Sequence, residues 1–79
     1  MDSTSMEKIL KILYNESPLS PKVIAERLEM NTSTVRVLLS HAKSLGAVTN
    51  YKKIRGLFIL TPYGKRLVQQ KLKEDSEDE

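Results

Sequence analysis

Residues 20–45, SPKVIAERLEMNTSTVRVLLSHAKSL, leave the chain little freedom, because they carry two helical patterns with almost no room between them. Ser20 is a good N-cap, and Pro21 suits the first helical position, where no amide hydrogen bond is needed. Leu19, just before the cap, is placed to staple onto Ile24. Val23, Ile24 and Leu28 share one apolar face, with the small Ala25 beside it. Asn31 is the next N-cap. Val35, Leu38, Leu39, Ala42 and Leu45 then form a second stripe at helical spacing, expected to point inward. So short a turn makes the two helices cross steeply, and Ala25 lets them approach closely.

Two helices joined in this way have the geometry that presents the second to a DNA major groove. The pattern Ile24-Ala25-x-x-Leu28-x-Met30, followed by Val35-x-x-Leu38, resembles the core signature of helix-turn-helix DNA-binding proteins. It departs at Glu29, where such turns often carry Gly. A residue with a Cβ must take a less comfortable backbone there, or a slightly different turn.

The segment after the motif narrows the resemblance. Gly46 ends the second helix as a C′ glycine. AVTNYKK (47–53) and LFILT (57–61) are β-branched and aromatic runs, and the short basic link between them ends in Gly56, which reads as a hairpin. Thr61 caps a further helix with Pro62 at its first position. The order helix, helix, helix, hairpin, helix, with LTPYGKRL closing the hairpin, is similar to winged-helix transcriptional regulators of bacteria and archaea. The resemblance spans roughly residues 5–72. It implies an α+β, mostly helical fold: a winged helix-turn-helix with a three-helix core, a β-hairpin wing and a C-terminal helix.

Length and charge agree. A chain of 79 residues is one domain with a small core, and such domains often gain stability by pairing. With no cysteine it has neither disulfides nor a thiolate metal site. No apolar run approaches the ~18 residues that a membrane span needs, and MDSTSMEK is unlike a signal peptide. The expected setting is the cytoplasm, at the nucleoid. Net charge is +3, but residues 1–73 hold all 13 Lys and Arg against five acids, a formal +8. That body attracts a polyphosphate partner. The last six residues, EDSEDE, are expected to form a disordered acidic tail (74–79) behind a winged-helix domain (1–73). The tail reads first as a solubilising segment and second as a weak competitor for the basic face.

In the first helix, Thr4 and Glu7 offer a capping box. Its apolar residues cover a wide arc, so part of that arc is available to a second subunit. Met6, Ile9 and Leu13, with Leu67, Val68 and Leu72 of the last helix, are the expected homodimer surface.

The second helix of the motif supplies the expected DNA contacts. With the apolar stripe inward, Thr32, Ser33, Arg36, Val37, Ser40 and Lys43 face out or lie at the flanks. Arg36 suits bidentate bonding to guanine, and exposed Val37 suits a thymine methyl. Thr32 and Ser33 reach base edges or phosphate, and Asn31 caps the helix and touches phosphate. Ser20 and Lys22 are expected at the DNA backbone. At the hairpin tip, Lys52, Lys53 and Arg55 form a second basic element. The resemblance implies that this wing meets the minor groove or the flanking backbone, where a narrow groove attracts Arg.

The five acids of the body lie apart, and no nucleophile–base pair or glycine-rich phosphate loop is legible, so no enzyme is expected. No cofactor, metal or small-molecule ligand is expected either. Two functions of different class fit. One is sequence-specific binding of double-stranded DNA for transcriptional regulation. The other is a winged-helix module of a larger replication or transcription machine, or a protein–protein adaptor.

Overall fold

The computed structural model describes the backbone of residues 2–77 and the side chains of residues 5–72. Helices α1 (Asp2–Asn15), α2 (Pro21–Leu28) and α3 (Thr32–Ser44) come first. A hairpin of β1 (Val48–Asn50) and β2 (Phe58–Leu60) comes next, with a 3-10 turn at Tyr51–Lys53, and α4 (Pro62–Glu77) ends the chain. This is the winged helix-turn-helix architecture expected from the sequence.

The helix pair forms as its caps dictate. The Ser20 Oγ accepts from the Val23 amide at 3.2 Å, and Pro21 occupies the first turn. Glu29 ends α2 in the left-handed region (φ 56°, ψ 48°), and the Met30 amide behind it donates to the Ala25 carbonyl at 2.9 Å. The turn therefore keeps its usual left-handed geometry, and Glu29 bears the Cβ crowding that glycine would avoid. Asn31 is the N-cap of α3, but its side chain makes no capping bond.

One continuous core holds the elements together. Ile9, Leu10 and Leu13 of α1 pack with Ile24 and Ala25 of α2, and with Val35, Leu39 and Ala42 of α3. Ala47, Val48, Leu60 and Val68 complete it from the hairpin and α4. Leu19, Leu28, Leu38 and Leu67 are half-buried against this cluster.

Several expectations need correction. Leu45 does not face the core. It is 59% exposed, because the helix ends at Ser44 and Leu45 is already the C-cap. Ile9, Leu13 and Val68 are buried within one protomer, so they are unavailable as dimer contacts. The first helix starts at Asp2, ahead of the expected cap at Thr4, whose side chain lies outside the described residues. The α4 backbone runs to Glu77, through most of the segment expected as a disordered tail; residues 78–79 lie outside the described residues. The strands are shorter than the apolar runs that mark them.

The junction after α3 fixes where the wing and α4 go. Gly46 takes φ +84°, its amide donates to the Lys43 carbonyl, and the Ala47 amide donates to the Ala42 carbonyl. These are the two bonds of a Schellman end. The Ala47 carbonyl accepts from the Thr61 amide at 2.9 Å, and the Thr61 Oγ1 caps α4 through the Gly64 amide at 3.0 Å. Gly64 sits directly on that junction: a Cβ added there would lie 2.1 Å from the Ala47 carbonyl oxygen. The glycine in LTPYGKRL is thus required by close approach of two backbones. Gly64→Ala should lower stability by about 1–3 kcal/mol through overpacking, read from chemical denaturation. Wild-type stability in this variant would mean that α4 docks elsewhere.

Candidate nucleic-acid interface

Burial of Val35, Leu39 and Ala42 sets the opposite side of α3 facing solvent. Ser33, Arg36, Val37, Ser40 and Lys43 are all exposed on it, Val37 by 66%, while Thr32 is half-buried. Asn31 is exposed at the start of the helix. Helical spacing divides the face into two rows: Arg36, Ser40 and Lys43 lie on one, and Ser33 and Val37 on the next.

The first row borders the wing. Arg36, Ser40 and Lys43 line an open cleft together with Arg55, Gly56 and Phe58 of the hairpin and Pro21 at the start of α2. Three cations, two from α3 and one from the hairpin, therefore share one depression whose lining includes a proline and a phenylalanine. None of its lining residues is acidic. The ion pairs found among the described residues lie elsewhere: Arg27 with Glu16, and Lys71 with Glu7 at 3.6 Å. Among the described residues, neither the Arg36 nor the Arg55 guanidinium takes part in an ion pair.

The wing is held at its base and strained at its tip. In β1–β2, Val48 pairs with Leu60, Thr49 with Ile59 and Asn50 with Phe58. Phe58 also exchanges two backbone bonds with Leu19, at 2.9 and 3.1 Å, so a single residue before α2 acts as a third strand. Beyond Asn50 the chain turns through three left-handed residues, Lys52 (φ 50°), Lys53 (φ 62°) and Gly56 (φ 88°). Only the last is a glycine. Lys52, Lys53, Ile54 and Arg55 are all exposed, and the Lys52 Nζ rests 5.3 Å from the Tyr51 ring centroid.

The expected contacts thus fall into groups. Arg36, Ser40, Lys43 and Arg55 are brought together in the cleft. Ser33 and Val37 lie on the neighbouring row, and Lys52 and Lys53 stand at the tip. Lys22 is exposed on α2, and Ser20 is half-buried with its oxygen engaged as a cap. Sequence reasoning missed Asn50, whose Oδ1 accepts from the Lys43 Nζ at 2.6 Å and whose Nδ2 donates to the Leu57 carbonyl at 3.3 Å. It also missed Phe58 as part of the cleft. Their signal was weak: a polar residue ending one strand and an aromatic opening the next. Among the described residues, no cluster of His, Asp and Glu could hold a metal ion, and no helix is long and apolar enough to cross a membrane.

The fold has relatives among known proteins. A family model described as winged helix-turn-helix DNA-binding matches residues 3–49, which carry α1, α2, α3 and most of β1. Among solved structures, IdeR of T. acidophilum is similar with a TM-score of 0.69 and 30% identity over 78% of this chain. The chain spans 30% of that protein's length. A protein of Ralstonia eutropha JMP134, described as a candidate DNA-binding protein, shares the fold with a TM-score of 0.69 at 23% identity. That match covers 85% of this chain and 93% of the other. No curated protein matches the chain. The family model spans more than half of the sequence and names the architecture seen here: the chain belongs to the winged helix-turn-helix DNA-binding family.

Proposed function

We propose that this protein binds double-stranded DNA sequence-specifically and regulates transcription, with α3 in the major groove and the wing on the flanking backbone or minor groove. The observation that carries this reading is the acid-free cleft in which Arg36, Ser40 and Lys43 of α3 meet Arg55 of the wing. On a duplex, a helix in the major groove and a wing beside it straddle one sugar–phosphate strand. Cations on both walls of the cleft match that strand.

Each role comes from position. Arg36 and Val37 read base edges, with Ser33 and Thr32 at the helix start. Asn31, Ser20 and Lys22 approach the backbone from the beginnings of α3 and α2. Lys52 and Lys53 extend the cationic surface at the tip. The family and the basic face favour a binding protein over an enzyme, acting at the nucleoid in the cytoplasm. A second copy docked on the α1–α4 face is part of the same reading. Half-buried Leu67 borders a shallow groove there with Glu7 and Lys71, and Leu72 is exposed beside it. Sedimentation equilibrium reads the mass directly, and a monomer at all concentrations removes the dimer from the proposal.

A gel-shift titration across salt tests DNA binding itself. With on the order of 4–8 phosphate contacts, the logarithm of affinity should fall against log salt with a slope of about −4 to −7. A slope near zero would sink this reading and favour the protein–protein module. Base readout is tested separately. Arg36→Ala should cost ~1–3 kcal/mol on the preferred site and relax preference at one base pair. Uniform loss over all sequences would make Arg36 a phosphate contact instead. Lys53→Gly should move two properties in opposite directions. It relieves a left-handed lysine and raises stability by about 0.5–1 kcal/mol, yet it weakens binding to every sequence alike. Lower stability in this variant would show that its φ is not strained.

A further inference from the structure

The bond between Lys43 and Asn50 joins the recognition helix to the wing through side chains. Lys43 stands in the last turn of α3, and Asn50 is the last residue of β1. The Lys43 Nζ donates to the Asn50 Oδ1 at 2.6 Å, and the Asn50 Nδ2 donates to the Leu57 carbonyl at 3.3 Å. That same carbonyl accepts from the Tyr51 amide at 2.9 Å. A continuous relay therefore runs from α3 to β1 and across to the chain entering β2. It closes at the point where the paired strands end and the strained tip begins.

The hairpin needs such a tie. Each strand has three residues, and a two-stranded hairpin of that size is marginal alone. Its base is fixed by the core and by the Leu19–Phe58 pair, but both anchors lie at or below Phe58. Level with the upper anchor, where Asn50 pairs with Phe58, the Lys43–Asn50 bond is the side-chain hydrogen bond that ties the wing to α3 among the described residues. The cleft holding Arg36 and Arg55 lies beside it, with Lys43 in its wall.

We infer that Asn50 is a positioning residue for DNA binding: through Lys43 it sets the wing against the recognition helix, so that Arg55 and Arg36 face the same backbone strand before DNA arrives. The inference rests on the DNA-binding reading above. It changes the part assigned to Lys43, which acts chiefly by holding Asn50 and only secondarily as a charge near the phosphates. Pre-organisation of this kind raises affinity by removing the cost of ordering the wing on binding.

A thermodynamic cycle on the full chain tests it, with duplex binding measured by fluorescence anisotropy across salt. Asn50→Ala removes the acceptor and no charge. Lys43→Met removes the donor while keeping the aliphatic stem and the Asn50–Leu57 bond. Each is combined with Arg55→Ala. If the brace exists, the affinity lost on Arg55→Ala shrinks by about fivefold in either background, and Asn50→Ala alone lowers the salt slope because wing contacts are lost. Thermal melts check folding, and should Asn50→Ala fail to fold, the Lys43→Met arm gives the same coupling. The inference is overturned if Arg55→Ala costs the same in every background. It is equally overturned if Asn50→Ala binds like the unaltered protein while Lys43→Met weakens binding and lowers the slope by about one, which makes Lys43 a direct phosphate contact. Failure of the unaltered protein to bind any duplex would instead sink the DNA-binding reading.

Discussion

The backbone of Ala47 is the joint on which this small fold turns. Its amide finishes α3 by bonding to Ala42, and its carbonyl receives the Thr61 amide where α4 begins. One residue thus ends α3, starts the wing and docks the last helix. The left-handed Gly46 makes the reversal, and the bare Cα of Gly64 lets α4 come close enough. Buried side chains alone would tolerate some sliding among four short helices. A directional bond on a fixed carbonyl does not, because N–H···O geometry weakens steeply with misalignment.

That rigidity matters for the surface it carries. The face bearing Arg36, Ser40 and Lys43 is the reverse side of the residues that fill the core, Val35, Leu39 and Ala42. Packing and presentation are two sides of one helix. Electrostatics then act over a face that is nearly free of acids. Glu16 and Glu7 are engaged with Arg27 and Lys71, outside the cleft. Glu26 and Glu29 belong to α2 and its end rather than to the lining of the cleft.

Much of the fold is legible in the chain, and the remainder has identifiable causes. Caps and periodicity locate α2 and α3 because these are local effects: Ser20, Pro21 and Gly46 act within a few residues. The motif also points to the uncomfortable backbone at Glu29. Leu45 escapes the pattern because periodicity assumes that the helix continues, whereas the Schellman end stops it at Ser44. The strands are shorter than composition suggests, because β-branched and aromatic runs carry no mark of the left-handed Lys52 and Lys53. Gly64 is recognisable as part of a pattern, but its reason lies at Ala47, far away in sequence. Phe58 in the cleft lining and Asn50 bonded to Lys43 are likewise hidden in the sequence, because only tertiary contact brings them to α3. The individual roles given to the exposed residues rest on their placement and belong to the proposal.

The Leu19–Phe58 pair has a kinetic consequence. It closes a loop that contains all of α2, α3 and β1, whereas the contacts between the two motif helices are local. Loop-closure entropy must be met before so distant a bridge returns any free energy. Folding is therefore expected to begin with the helix pair and to finish with the wing. Local opening of the native protein should follow the reverse order, releasing the wing while the helices stay packed. Such a hierarchy gives the molecule a durable helical body and a wing that can let go first.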